Sequence, residues 1–444
     1  MVTLMLIVFM LGYLMIAFEH VTHINKATFA LLMCGLLWAV YALGVTDPDV
    51  THEVISEHLI VALGDTCEIV VFLIGAMTIV ELIDKYGGFG LIINRLHADN
   101  KRGMMWILAF VAFFMSSILD NMTTTIIMVM MLRRMLRQEK ERWLFAGVIV
   151  ISANSGGAWS PIGDITTIML WMKNYVSSID LIVNLIVPCI VSVIVPTLIA
   201  TRFIKPEPME AICPDSERIG FHINEHLPQL SRTILICGVG GLLFVPVFKA
   251  LTGLPPYMGI LISLSVLWLI TELVVRHYKL DGKMEGRISQ ALKSIDMPTI
   301  LFFLGILMAV AALQQANILT HMAEWLDTNV HEPYIISGII GVLSSIVDNV
   351  PLVAACMNMY PVSAPDAVGY AAYFVQDGLF WHLLTFCAGV GGSMLIIGSA
   401  AGVVAMGIEK IPFMWYLKRI SWMAFAGYIA GIVCIWLEAF FIAI

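Results

Sequence analysis

Apolar runs of about 20 residues recur along almost the whole chain between short polar loops, and a run of that length crosses a hydrocarbon core of roughly 30 Å as a helix. The pattern predicts ten crossings, at 1–18, 27–45, 59–83, 143–173, 178–203, 231–250, 255–276, 299–315, 380–407 and 413–441. Two further apolar segments carry a polar centre. Residues 104–119 lead into Asp120-Asn121-Met122-Thr123-Thr124-Thr125 and then a short limb ending at Leu132. Residues 334–347 lead into Asp348-Asn349-Val350-Pro351 and then 352–359. At about 1.5 Å per residue neither limb spans the core comfortably. Each segment is therefore a long helix with a polar middle or a re-entrant hairpin with a polar tip, over 104–137 and 333–359.

Charge decides between these. With two hairpins, the loops holding Lys26, 84–103, 133–142, 202–232, 276–297 and 409–419 share one side, which then carries 22 of the 24 Lys and Arg residues, leaving Lys173 and Lys249 opposite. With two straight spans the split is 10 against 14, which is no bias. Basic loops stay cytoplasmic, so two hairpins are expected, the first entering from the cytoplasm and the second from outside, with both termini outside.

The segments also repeat. Ser116-Ser117-Ile118-Leu119-Asp120-Asn121 returns as Ser344-Ser345-Ile346-Val347-Asp348-Asn349, and Gly156-Gly157 with Ile162-Gly163 returns as Gly391-Gly392 with Ile397-Gly398. Ile74-Gly75 and Leu304-Gly305 continue the register upstream. Five crossings per unit is odd, so the second copy lies upside down relative to the first. The expected fold is an all-α polytopic membrane protein of two inverted repeats, 1–204 and 231–444, joined by a cytoplasmic linker at 205–230. Each repeat has five spans plus one re-entrant hairpin and contains an interrupted span, at 143–173 and 380–407. Close helix packing would also account for the glycines. Pro161 and Asp164 beside them in mid-span argue instead for unwound backbone, which survives in a bilayer only inside protein or along a polar cavity.

Composition narrows the class. Sixty per cent of the 444 residues are hydrophobic and 13% charged, which leaves no room for a soluble domain. The first span lacks a basic leader and a cleavage site, so it is expected to stay in the mature chain. The eight cysteines show neither CxxC nor Cys/His spacing, which speaks against a disulfide framework or a zinc site. No cofactor is expected. A net charge of −8, with basic residues confined to loops, does not point to nucleic acid.

Candidate chemistry lies at the tips and breaks, where Asp120, Asp348 and Asp164 are acidic residues at membrane depth and so functional by default. Oxygen donors surround them in sequence: Asn121, Thr123, Ser152, Asn154, Thr166, Thr167, Asn349, Ser393 and Ser399. No Lys, Arg or His lies within the tips or breaks. Carboxylate, carbonyl and hydroxyl oxygens suit a small hard cation, and desolvated carboxylates bind cation and proton competitively. Helix capping is the plainer role for each aspartate, and it is compatible with binding. Because Asp164 follows Gly163 where Ser399 follows Gly398, the charge is asymmetric, which places the principal site toward the first hairpin and first break.

SSILDNMTTTI at 116–126, SANSGGAWSPIGDITT at 152–167, SSIVDNVP at 344–351 and GVGGSMLIIGSAAG at 389–402 together resemble the NhaD-type bacterial sodium/proton antiporters of the ion transporter superfamily. The resemblance implies exchange of sodium or lithium for protons, these ions being substrates. It also implies a homodimer in the bacterial inner membrane, and elevator-like movement of a transport unit against a scaffold. It carries binding roles onto Asp120, Asn121, Thr123, Asn154, Asp164, Thr166, Thr167, Ser344, Asp348 and Asn349, with Ser393 and Ser399 at the second break. A sodium-coupled anion or dicarboxylate symporter on the same fold is the alternative. An intramembrane aspartyl hydrolase would need YD and GxGD contexts, and Gly163-Asp164 follows Pro161-Ile162 instead. Glu81 reads as an interface residue, Asp65 and Glu68 as vestibule residues, and His58 and His382 as surface or packing groups that could tune a pH response.

Overall fold

No water is at hand inside hydrocarbon for backbone N–H and C=O groups, so each must be paired within the chain, and helices do this segment by segment. The computed structural model describes residues 1–17, 22, 24–44, 51–93, 98, 100–136, 138–205, 228–277, 291–293, 295–346 and 348–442, and among them the regular structure is helical apart from isolated bridge residues, Asn100 and the pair Ser363 and Val375. The first half holds α1 (Val2–Ala17), α2 (Lys26–Gly44), α3 (His52–Lys85), α4 (Gly88–Ile93), α5 (Lys101–Ser116), α6 (Asn121–Met135), α7 (Glu139–Ala158), α8 (Ile165–Met172) and α9 (Ser178–Thr201). The second holds α10 (Pro228–Thr252), α11 (Pro256–His277), α12 (Met297–Gln315), α13 (Ile318–Asn329), α14 (Pro333–Ser344), α15 (Asn349–Met359), α16 (Leu379–Gly391), α17 (Ala400–Glu409), α18 (Phe413–Arg419) and α19 (Ser421–Ile442). Most of the expected linker, 206–227, lies outside the described residues, as do Arg137 and Val347.

Among the described residues seven helices, α2, α3, α9, α10, α11, α12 and α19, are long and apolar enough to cross a membrane. The protein is a multi-pass membrane protein. Of the other expected crossings, α1 is apolar but only 16 residues long, and the two interrupted spans are each split, into α7 with α8 and α16 with α17. The last crossing begins at Ser421, later than its hydropathy suggested, because α18 breaks off at Ile420. Leu243, Phe244 and Val247 on α10 and Phe425, Ile429, Val433 and Trp436 on α19 are exposed, as suits side chains turned toward lipid.

Contacts divide the helices into two groups. Helix α2 packs on α1 and α12, α11 packs on α10 and α3, and α3 meets α12. In the other group α5 and α6 both pack on α7, α14 and α15 both pack on α16, α9 lies against α19, and α7 meets α16 near the middle. The groups touch where α12 and α13 meet α15 and where α3 meets α8.

Repeat-related residues make repeat-related contacts. The Ser116 hydroxyl donates to the Ala153 carbonyl at 2.6 Å, and the Ser344 hydroxyl donates to the Ala388 carbonyl at 2.8 Å. A Cβ on Gly156 would strike the Phe113 carbonyl, and one on Gly391 would strike the Gly341 carbonyl; Gly163 and Gly398 press in the same way on Ser116 and Ser345. Close packing is thus what these glycines supply, and the breaks beside them are real as well: α7 ends at Ala158 and α16 at Gly391.

At the end where α6 passes into α7, the carboxylate of Glu409 is fully buried between two arginines, Arg133 Nε at 2.9 Å and Arg142 Nε at 2.8 Å, while its carbonyl accepts from Trp143 Nε1 at 3.0 Å. This joins the first helix pair to the end of α17. At the opposite end Tyr175 and Ser177, after α8, bond Asp377, before α16, and the Tyr175 hydroxyl donates to the Met357 carbonyl at 2.7 Å. Removing one partner of a buried ion pair costs about 3–5 kcal/mol, and Arg133 is half exposed whereas Arg142 is not. Thermal unfolding of purified protein should therefore show Glu409→Ala as the most destabilised, Arg142→Ala next and Arg133→Ala least. Equal stability of the three would show that the cluster does not hold these elements together.

Candidate cation site

Four helices begin in the middle of the molecule, and each needs something to satisfy its first N–H groups. Asp120 caps α6, its Oδ1 accepting from Thr123 N and its Oδ2 from the Thr123 hydroxyl, both at 2.7 Å. Asp348 caps α15 through Val350 N at 3.4 Å, and Ser399 caps α17 through Gly402 N at 3.2 Å. Asp164 stands at the cap position of α8 in extended backbone, and its Oδ2 accepts instead from the Thr166 hydroxyl at 2.8 Å and from Asn349 Nδ2 at 3.0 Å. Polar residues expected in the tips, Asn121 to Thr125, form the first turn of α6, so the break itself is 117–120.

All four caps line one cavity of about 90 Å³, together with Lys26, Asn121, Thr299 and Asn349. Helix N-termini carry partial positive charge and favour anionic groups beside them. Among the described residues lining the cavity, three carboxylates face a single ammonium. That leaves two negative charges for which a cation or a proton is the natural partner. Lys26 Nζ lies 2.6 Å from Asp348 Oδ2. This corrects the reading of Lys26 as a loop charge: it is the first residue of α2 and reaches a tip 322 positions away. A lysine at the edge of an apolar run looks like an interface anchor, so only the fold could reveal the contact.

Charge asymmetry between the halves is matched by a steric one. In register, Asp164 corresponds to Ser399, Asn154 to Gly389 and Ala158 to Ser393. Asn349 reaches Asp164 directly, and Gly389 leaves room, since a Cβ there would lie 3.7 Å from Asp164 Oδ2. On the other side Ser399 is shorter and Asn154 fills the gap, accepting from Asn121 Nδ2 at 3.1 Å and donating to the hydroxyls of Ser393 and Ser399, both at 2.9 Å. The first break thus faces the second tip, so Asp164 bonds Asn349 as well as sharing its cavity with Asp120.

The remaining candidates divide. Thr166 is buried and bonded to Asp164, while the buried hydroxyls of Thr167 and Ser152 have no partner among the described residues. Ser344 spends its proton on the Ala388 carbonyl. Glu81 pairs with Lys85 at 3.5 Å, whereas Asp65 and Glu68 hold Lys173 at 2.5 and 3.6 Å. His58 is half-buried on α3. His382 is buried with Nε2 2.8 Å from Asp180 Oδ2, and Asp377 completes a trio whose ligand atoms lie within 4.8 Å, a grouping that no sequence spacing announces.

Two more cavities flank the group. One of about 280 Å³ shares Lys26, Asp348 and Ser399 with the first and adds Asn25 and Asp296, at the starts of α2 and α12. Another of about 320 Å³ is lined by Asp65, Lys173 and Tyr175 and by Gln314 at the far end of α12.

Residues 5–376 match the citrate transporter (CitMHS) family. The chain belongs to that family. Sodium/proton antiporter 1 of Arabidopsis thaliana is 44% identical over 96% of this chain and 71% of its own length. The Na(+)/H(+) antiporter NhaD of Vibrio cholerae is 29% identical over 96% of this chain and 90% of its own. The resemblance to NhaD-type proteins carried by the tip and break motifs therefore extends over nearly the full length. Among solved structures, the YdaH transporter of Alcanivorax borkumensis matches with a TM-score of 0.59 and 11% identity, over 94% of this chain and 99% of that one, which shows a shared fold.

Asn154 joins three elements, and its loss leaves buried partners unsatisfied, a cost of about 1–3 kcal/mol. Asn154→Ala should lower the unfolding temperature of purified protein more than Ser393→Ala does, since Ser393 meets only one arm of the amide. A reversed order would mean that Asn154 is not the bridge.

Proposed function

We propose that this protein exchanges sodium or lithium for protons, by competition of cation and proton for Asp164, Asp120 and Asp348. The observation that carries the reading is the excess of carboxylate over ammonium in a cavity whose walls, among the described residues, are otherwise hydroxyl, amide and apolar groups. Hydrogen bonds from Asn349 and Thr166 leave Asp164 with lone pairs for a cation. Asp164 is then the proton-competed group, with Asn121, Thr123, Asn154, Thr167, Ser393 and Ser399 as supporting oxygens. Relatives named as sodium/proton antiporters support the choice of ion.

For access we infer alternating exposure through the two flanking cavities, which lie toward opposite ends of α12. In this reading the repeats are inverted, and the α5–α6 and α14–α15 pairs are re-entrant hairpins. The two hairpins, the broken spans and α9 and α19 move as a unit against α1–α3 and α10–α12. Recurrent glycine and serine contacts support the repeat, and the packing of both limbs of each pair on one following helix supports the hairpins. Sodium-coupled carboxylate uptake is the competing reading; the family's description and Lys26 favour it, although that ammonium is engaged by Asp348.

In everted vesicles with an acid interior, sodium should dissipate the pH gradient. Asp164→Asn should abolish the response, and Asp120→Asn and Asp348→Asn should impair it at normal insertion. Ser399→Ala, which loses the hydrogen bonds from Asn154 and from the Gly402 amide, should raise the half-saturating sodium concentration by about fivefold, a net effect of ~1 kcal/mol. Silence of the wild type toward sodium and lithium, with sodium-driven uptake of an organic acid, would favour the symporter. For orientation, cysteines at the exposed positions Lys140 and Ala364 should label from opposite faces, Lys140 from the cytoplasm; labelling of both from one face would remove the inverted arrangement.

A further inference from the structure

Lys26 is placed unlike any other cation among the described residues. Its ammonium is 2.6 Å from Asp348 Oδ2 and 4.2 Å from the ring centre of Phe302 on α12. It lines both the central cavity and the neighbouring one that runs toward Asn25 and Asp296. The pair also joins the two helix groups, because α2 packs on α1 and α12 whereas Asp348 caps α15. Glu409 shows what a sealed structural pair looks like here, with no exposed carboxylate surface at all. The Lys26 and Asp348 side chains instead remain 21% and 17% exposed and line two adjoining cavities.

An ammonium at 2.6 Å occupies the place on Oδ2 that a coordinated metal cation would take, and two like charges cannot share it in a partly desolvated site. The ammonium also has a second place to go. Asp296 lines the same cavity of about 280 Å³ as Lys26 and Asp348, and its carboxylate presently caps α12, accepting from the Thr299 amide at 3.3 Å and the Thr299 hydroxyl at 2.5 Å. The ring of Phe302, on the same helix as the Asp296 cap, already lies 4.2 Å from the ammonium and offers its face to the charge.

We propose that Lys26 is a tethered competitor for the transported cation. Its ammonium neutralises Asp348 while the site holds no sodium. It withdraws toward Asp296 when sodium takes Asp348, so that Lys26 sets the sodium concentration range in which the protein works. The proposal rests on the cation-exchange reading and goes beyond it by giving the site an internal cation. Occupation of Asp348 by Lys26 ties α2 to α15, and occupation by sodium releases that tie.

Test it on purified full-length protein and on everted vesicles carrying wild type, Lys26→Met and Lys26→Arg. The first readout is the sodium concentration giving half-maximal thermal stabilisation, which needs no transport; the second is the half-saturating sodium concentration for dissipating an imposed pH gradient. Lys26→Met should lower both by about fivefold, as expected for loss of a competing pair worth ~1 kcal/mol, and Lys26→Arg, which restores the charge, should bring both back toward wild type. Unchanged or raised values in Lys26→Met, in protein that elutes as wild type does, would make the pair merely structural and overturn the proposal. Complete loss of sodium stabilisation in that variant would overturn it too, by making Lys26 a requirement for binding. A wild type that sodium stabilises but that moves no protons would defeat the exchange reading instead, leaving the binding comparison to judge Lys26.

Discussion

Everything in the centre of this protein follows from the burial of four helix beginnings in one place. A helix N-terminus inside a membrane presents unsatisfied N–H groups that neither lipid nor distant side chains can meet. The chain answers with Asp120, Asp348 and Ser399 as caps and with Asp164 at the fourth cap position. Each carboxylate is held in place by the helix it serves, and the serine-to-carbonyl bonds at Ala153 and Ala388 lock the helix pairs to the broken spans. In the proposed exchange reading, structural necessity and ion chemistry use the same atoms. The capping and binding roles, which compete on the page of a sequence, then fall on the same residues.

Much of this was legible in advance because it is local. The polar centres at 120–125 and 348–351, the paired glycines and the doubled SSI-x-DN motif are all written in consecutive residues, and each corresponds to a helix start or a close backbone approach. Boundaries were read less well. The threonines after Asp120 look like loop because they are polar, yet Asp120 bonds both the amide and the hydroxyl of Thr123 and thereby starts the helix at Asn121. What could not be read was the long-range pairing. Lys26 meets Asp348 across 322 positions, and Asn349 meets Asp164 across 185, so no pattern within a window could join them.

The ends of the two broken spans are fastened by different chemistry in the same places. On one end two arginines grip the carboxylate of Glu409; on the other, backbone and side-chain bonds join Tyr175 and Ser177 to Asp377. Each fastening ties a helix pair from one half to a broken span from the other, so the halves are interlocked and not merely apposed. Interlocking keeps the four caps at fixed spacing, while the contacts to α12, α13 and α3 are the ones across which the two helix groups meet.

The matched differences at Asp164 and Ser399, Asn154 and Gly389, and Ala158 and Ser393 bear on how such a chain can change over time. Gly389 makes space for the Asp164 carboxylate, and Asn154 spans the distance that the short Ser399 leaves open. Moving the charge to the other half takes two replacements, one that crowds a longer side chain at 399 against the Asn154 amide and one that leaves a hole at 164 beside Gly389. The three positions in each half therefore form an epistatic set. Two halves that began symmetric would need more than one replacement to reach this arrangement, and no single replacement exchanges the roles of the halves.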